Sequence, residues 1–233
     1  MRADGKDRRL RGTESGRCED RGMATGRLYG GRAGEERQAD RRAQLIEAGL
    51  DLLGAADGEA TLSVRGVCKR AGLASRYFYE SFADRDELTG AVYDHVVQRI
   101  AESTLAAVAS APADDDRAIV RACVENIVRE IDEDPRLGRM LFSVSQANTQ
   151  LAERRLDSTR MFAGLVTAQA ENIYAITPSP RLDLAAHYVV GGLAQALTAW
   201  LDGTVPLSHD DVVEECTELL VTMSAQLRRD SAT

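Results

Sequence analysis

The chain has 233 residues, 44% apolar and 28% charged, with a net charge of −8; that composition fits one large helical domain or two smaller ones and excludes a disordered or fibrous polymer. No apolar run is read as approaching the roughly 20 residues that span a bilayer, and the arginine-rich start lacks the apolar stretch of a secretory signal, so a cytoplasmic location is expected. Residues 1–37 carry 10 Lys/Arg against 7 Asp/Glu, residues 38–100 carry 8 against 10, and residues 101–233 carry 11 against 20. The acidity therefore sits at the C-terminal side, and the net charge does not exclude nucleic acid, which needs only a basic face.

Residues 1–37 are rich in Gly, Arg and Glu with few large apolar side chains, so a flexible arm is expected there; Met23 opens a tidier segment and is an alternative start to Met1. From Asp40 the pattern turns helical, with Leu45, Ile46, Gly49, Leu50, Leu52 and Leu53 on one stripe. Ser63 suits the cap of a second helix with Val64, Val67, Cys68 and Ala71 on its apolar face. Gly72 suits the left-handed stop. A very short helix follows over about 75–81. Asp84 with Glu87 reads as a capping box and opens a long helix striped by Leu88, Ala91, Val92, His95, Val96, Arg99 and Ile100. Further helices are expected at about 115–132, 136–144, 149–175, 182–202 and 209–228. The expected fold is all-α with about nine helices. Its organisation is an arm (1–37), a three-helix helix-turn-helix domain (38–83) and a larger C-terminal helical domain for ligand binding and dimerisation (84–229).

The stretch from Ser63 to Leu88 carries the chemistry. A helix of about eight residues, a Gly-containing turn and a second short helix form the layout whose second helix enters a major groove. Phe78 and Phe82, four apart, share a buried side, which leaves Tyr77 and Tyr79 pointing elsewhere. This segment resembles the DNA-binding domain of the tetracycline-repressor (TetR) family: Ser63 as cap, Ala71-Gly72-Leu73-Ala74, Phe78-Tyr79-Glu80-Ser81-Phe82, then Arg85-Asp86-Glu87-Leu88. The preceding helix, Arg41 to Leu53, is similar to the family's first helix, and the likeness covers about 50 residues. Two departures stand out. Ala74 replaces the usual Ser or Thr, so Ser75 is expected to take the cap with a one-residue shift. Arg76 and Tyr77 replace smaller residues, so base preference is expected to differ from other members.

The resemblance implies that Tyr79 and Arg85 contact phosphate. Arg76 is suited to a bidentate contact with guanine or to a phosphate, and Tyr77 contributes to sequence choice. Arg41, Arg42, Ser63, Arg65 and Ser75 complete the expected DNA-binding set, while Lys69 and Arg70 read as a solvated face. His95, His187 and His209 show no metal spacing, and nothing sets Ser, His and Asp in a catalytic relation; no cofactor, metal or enzymatic activity is expected. Cys18, Cys68, Cys123 and Cys216 form no CxxC pair and read as free thiols.

For the C-terminal helices the resemblance implies a four-helix dimer interface built from the last two. Tyr188, Gly192, Ala196, Cys216, Leu220, Met223 and Leu227 are its candidates. A mostly apolar effector pocket is expected from His95, Phe142, Met161, Phe162, Leu165, Gln169 and Trp200, with His95 facing the interior and coupling ligand to DNA. The acidic excess leaves a cationic ligand open. The resulting expectation is a ligand-responsive repressor that binds a palindromic operator in double-stranded DNA as a homodimer, away from membranes. Two alternatives stay open: a regulator without small-molecule control, and a helical binding protein that has lost DNA binding.

Overall fold

The computed structural model describes residues 25–55, 62–145, 148–174 and 176–231, with the side chains of 25–33, 174 and 227–231 left aside. Two compact units divide the chain at 38/39, inside the first helix, α1 (Thr25–Leu53). The first unit contributes helix from Thr25 onward, so the expected flexible arm is helical from 25 to 37. Four glycines in that stretch had argued for coil, and the helix formers Arg27, Leu28, Ala33, Glu35, Glu36 and Arg37 prevail. Residues 1–24, including Cys18, lie outside the described residues.

The second unit is all helix among its described residues. After α1 come α2 (Val64–Ala71), α3 (Ser75–Tyr79), α4 (Arg85–Ser110), α5 (Asp116–Glu133), α6 (Pro135–Gly138), α7 (Ala152–Tyr174), α8 (Pro180–Leu201) and α9 (His209–Ser231). A π-helical turn, Arg139–Val144, continues α6, and a 3-10 turn, Thr149–Leu151, leads into α7. The boundaries follow local chemistry. The Ser63 hydroxyl accepts from Gly66 N–H at 3.1 Å, and Gly72 at φ +69° returns N–H bonds to the end of α2. Asp84 accepts from the N–H groups of Asp86 and Glu87, both at 2.9 Å, while Glu87 accepts from Ala83 N–H at 2.6 Å. Pro135 and Pro180 occupy first-turn positions where no N–H is needed.

Two cores are built from these elements. The first joins α1–α4 to the turn after α6: Leu45, Leu50, Leu53, Val67, Phe78, Phe82, Leu88, Val92, Val96, Leu137 and Met140 are buried together. A side chain at Gly49 would meet Val92 at 2.8 Å, so glycine is what lets α1 lie against α4. The second core gathers Val124, Val128, Ile131, Leu197, Val212, Val213 and Cys216 from α5, α8 and α9. α8 is long and apolar enough to cross a membrane by length and composition, and only 11% of that window is buried; this corrects the expectation that no such run exists. Leu184 (72% exposed), Tyr188 (69%) and, on α9, Leu219 (65%) stand on the surface.

Candidate nucleic-acid interface and effector cavity

α2 and α3 are held by Phe78 and Phe82, whose rings tilt against each other with centroids 5.8 Å apart in the first core. With that side of α3 buried, the 100° step between residues turns Tyr79 outward, 62% exposed, with its ring edge-on to Phe78. Tyr77 is half-buried and lies between two guanidinium groups, Arg41 at 4.6 Å and Arg76 at 4.7 Å from its ring centre. Arg76 also donates to the Tyr77 hydroxyl at 2.8 Å. Arg42 lies over the Phe82 ring at 5.0 Å. Ser63, Arg65, Ser75, Arg76, Arg42 and Arg85 are exposed. The cap of α3 is Ala74, with no side-chain cap bond, and Ser75 is the first helical residue; the expected one-residue shift of the cap does not occur. Arg70, read as solvated, donates to Asp51 at 2.6 Å.

The C-terminal helices line a half-open cavity of about 460 Å³ between α4, α5, α7, α8 and α9, within the size range of small-molecule sites. Phe142, Phe162, Leu165 and Gln169 line it. His95, Met161 and Trp200 do not. The buried face of α4 is Leu88, Val92, Tyr93, Val96, Val97 and Ile100, rotated toward Tyr93 and Val97 from the stripe the sequence suggested, and His95 is exposed. Met161 packs against the first core. The Trp200 indole donates to the Leu207 carbonyl at 3.0 Å and stands edge-on to His209, which occupies it beyond the cavity. The sequence reading missed Tyr93, Arg155 and Ser158 in the wall; the i, i+3, i+4 pattern around them was the available signal. Cys123 opens onto the cavity but is ringed by protein, and burial pushes its thiol up to about 11, so it stays neutral.

The candidate dimer residues fall on different sides. Tyr188, Gly192 and Ala196 are exposed on α8. Cys216 is buried in the second core of its own subunit, and Leu220 and Met223 line the cavity. Those three are thus turned inward, because the apolar face of α9 packs on α5. The side chain of Leu227 lies outside the described residues.

No family model and no curated protein matches the sequence. Solved structures do match in shape. They include the fatty acid degradation regulator FadR from Bacillus halodurans (17% identity, TM-score 0.63, covering 77% of this chain and 94% of that one). A TetR-family transcriptional regulator from Syntrophomonas wolfei aligns with TM-score 0.66 at 12% identity over 80% and 96%. FadR from Bacillus subtilis, solved in complex with stearoyl-CoA, aligns with TM-score 0.60 at 17% identity over 78% and 98%. At these identities the likeness establishes the fold: a helix-turn-helix unit followed by a helical C-terminal domain, as in TetR-type regulators.

Proposed function

We propose that the chain is a DNA-binding transcriptional regulator: a cytoplasmic homodimer that represses from a palindromic operator and responds to a small molecule in its C-terminal cavity. The observation that carries this reading is α4. Its first turn bears Arg85 beside the recognition helix α3, and its later turns, from Tyr93 to Val108, form one wall of the cavity. One rigid element thus touches both proposed sites, which is the physical requirement for coupling. On DNA, Tyr79 and Arg85 position the protein through phosphates, with Arg41, Arg42, Ser63, Arg65 and Ser75 flanking, while Arg76 and Tyr77 contribute to sequence choice. Two recognition helices about 34 Å apart fit successive major grooves. An effector that reorients α4 relieves repression if it prefers the non-binding state by several kcal/mol. The pocket reading keeps Phe142, Phe162, Leu165 and Gln169 and drops the three residues that point elsewhere. No catalytic role is proposed.

The test is selection of bound duplexes from a random library by the full chain, followed by a salt titration on the winner. An enriched inverted repeat whose affinity falls steeply with salt is expected. Absence of any enriched sequence together with absence of salt-dependent affinity would favour a helical binding protein instead.

A further inference from the structure

The wall of the cavity has a one-sided chemistry. Although residues 101–233 hold almost twice as many acidic as basic residues, among the described residues no Asp, Glu, Lys or His lines the cavity, and Arg155 is its single charged side chain. Its neighbours on α7 are paired: Arg154 binds Asp94, and Arg160 binds Asp157 at 2.7 Å. Arg155 forms no ion pair with the described residues and acts on the nearby Tyr93 hydroxyl as a positive charge. A cationic ligand therefore has no partner here, and an anionic one has Arg155.

The cavity is also long. Along α4 the lining runs from Tyr93 to Val108, about 22 Å, and along α7 from Arg155 to Ile173, about 27 Å, at ~1.5 Å per residue. The ends are in register. Tyr93 and Ser158 share a hydrogen bond of 2.7 Å at one end, and Val108, Ile119, Gln169 and Ile173 meet around a second recess at the other. Between them two hydroxyls are spent as donors, Thr198 to the Ala194 carbonyl and Ser224 to that of Leu220, and the Thr104 oxygen accepts from Asn126. At the first end Ser158 and Thr159 donate to the Arg155 carbonyl and the Tyr93 hydroxyl therefore donates to Ser158, which leaves the guanidinium as the donor. The Cys123 thiol, neutral as argued above, adds no charge between the ends.

We infer that the cavity takes an elongated aliphatic ligand carrying a single anionic end, with that end at Arg155 and the chain directed toward Val108 and Ile173. The inference rests on the reading of the cavity as an effector site. A free long-chain carboxylate and an acyl thioester of a phosphate-bearing carrier share this chemistry. In the first the carboxylate meets Arg155; in the second the acyl chain fills the cavity and the carrier's phosphates meet the exposed guanidinium at its rim.

The experiment is calorimetric titration of the full chain, at monomeric probe concentrations, with hexadecanoate, hexadecanoyl-CoA, hexadecanol, hexadecylamine and butanoate. Hexadecanoate or hexadecanoyl-CoA should bind, and whichever is tighter identifies the source. Hexadecanol should bind roughly tenfold more weakly, the loss expected when a charge-assisted hydrogen bond is removed, and the amine and butanoate weaker still. Arg155→Ala should reduce the anionic probe to the affinity of the alcohol while leaving the alcohol unchanged, and Arg155→Lys should restore part of the difference. Ala170→Phe, which fills the far half, should shift the optimum to shorter chains. Equal binding of acid and alcohol, or an Arg155→Ala variant that keeps the difference, overturns the head-group assignment. Failure of every aliphatic probe in a protein that still binds its selected DNA overturns the ligand class and leaves the regulator reading standing. Tight binding without any change in DNA affinity does the reverse: the ligand class holds and the effector role fails.

Discussion

Tyr77 sits between Arg41 and Arg76, and this small stack sets how the recognition helix presents its charge. Stacking on the ring and donating to its hydroxyl fix the Arg76 guanidinium near the surface of α3, so a bidentate base contact requires it to leave the tyrosine. Among the described residues the Arg85 side chain has an exposed pair with Asp86 at 3.6 Å, an interaction worth little in water, which leaves it able to take up the proposed phosphate contact. The two arginines should therefore differ when removed. Arg85→Ala should weaken binding to all duplexes alike and lower the salt slope by roughly one. Arg76→Ala should cost about 1–3 kcal/mol at one base pair and little elsewhere. Affinities measured across a set of single-base operator variants at several salt concentrations separate the two, and a uniform loss from Arg76→Ala moves it into the phosphate class. At this scale the sequence was informative where side chains obey strict spacing. Phe78 and Phe82 inward with Tyr79 outward, Gly72 as the left-handed stop and Ser63 as a cap follow from periodicity and capping chemistry alone. His95 did not follow, because an apolar stripe is more than 100° wide. Its edge is fixed by packing against α7, where Tyr93 meets Ser158, a contact 65 residues away in the chain.

An ion-pair cluster ties the helix-turn-helix unit to the C-terminal helices and is invisible in the sequence for the same reason. Arg136 of α6 donates to Glu47 at 2.8 Å and to Asp51 on α1, and binds Asp134 at 2.7 Å. Asp51 also receives Arg70 from α2, and Arg99 of α4 reaches Glu130 at 3.1 Å and Asp134 at 3.4 Å. Five helices thus meet through charges that lie 19 to 89 residues apart in most pairs. The Arg136 hydrogen bonds hold the Asp134 carboxyl below its ordinary range. For Asp51, burial pushes upward but is outweighed by the bonds from Arg70 and Arg136, so it too is lowered. A carboxyl whose folded pKa is depressed adds stability that is complete above its ordinary value near ~3.9 and is lost as pH falls toward the folded value. Arg136→Met should therefore destabilise the protein by about 2 kcal/mol near neutral pH, the worth of hydrogen bonds between charged groups in a partly exposed site. The difference from the wild type should shrink below pH 4. Urea unfolding at pH 7 and pH 3 tests this; an equal loss at both pH values would assign the effect to packing of the Arg136 stem. α6 continues into the π-helical turn whose Leu141 and Phe142 line the cavity. The cluster thus joins the base of α1 to the cavity wall, a second mechanical link beside α4.

Within the second unit, α8 is apolar and largely uncovered. On α8, Leu184, Tyr188, Gly192 and Ala196 follow one another at i, i+4 spacing, all exposed, and Leu219 of α9 is exposed as well. Exposed large apolar side chains grouped on one helix mark an interaction surface, and Gly192 permits close approach of a second helix. The partner consistent with a two-fold regulator is the same face of another copy, in a self-complementary interface. With Cys216, Leu220 and Met223 turned inward, the proposed seam falls on α8 and not on their side of α9. The one apolar stripe of α9 suits core and seam alike, so periodicity alone could not choose between them. Leu184→Glu with Tyr188→Glu should put charges into the seam and give monomers by light scattering, with circular dichroism unchanged because neither residue is buried in the subunit. In the proposed dimer this interface sets the spacing between recognition helices, so the monomeric variant should lose its preference for a full inverted repeat and bind a half-site as weakly as a whole operator. Each copy would then neutralise only its own phosphates, and the salt slope should fall to about half. A variant that remains dimeric places the interface elsewhere. One that turns monomeric yet still prefers the full repeat would separate operator recognition from this face.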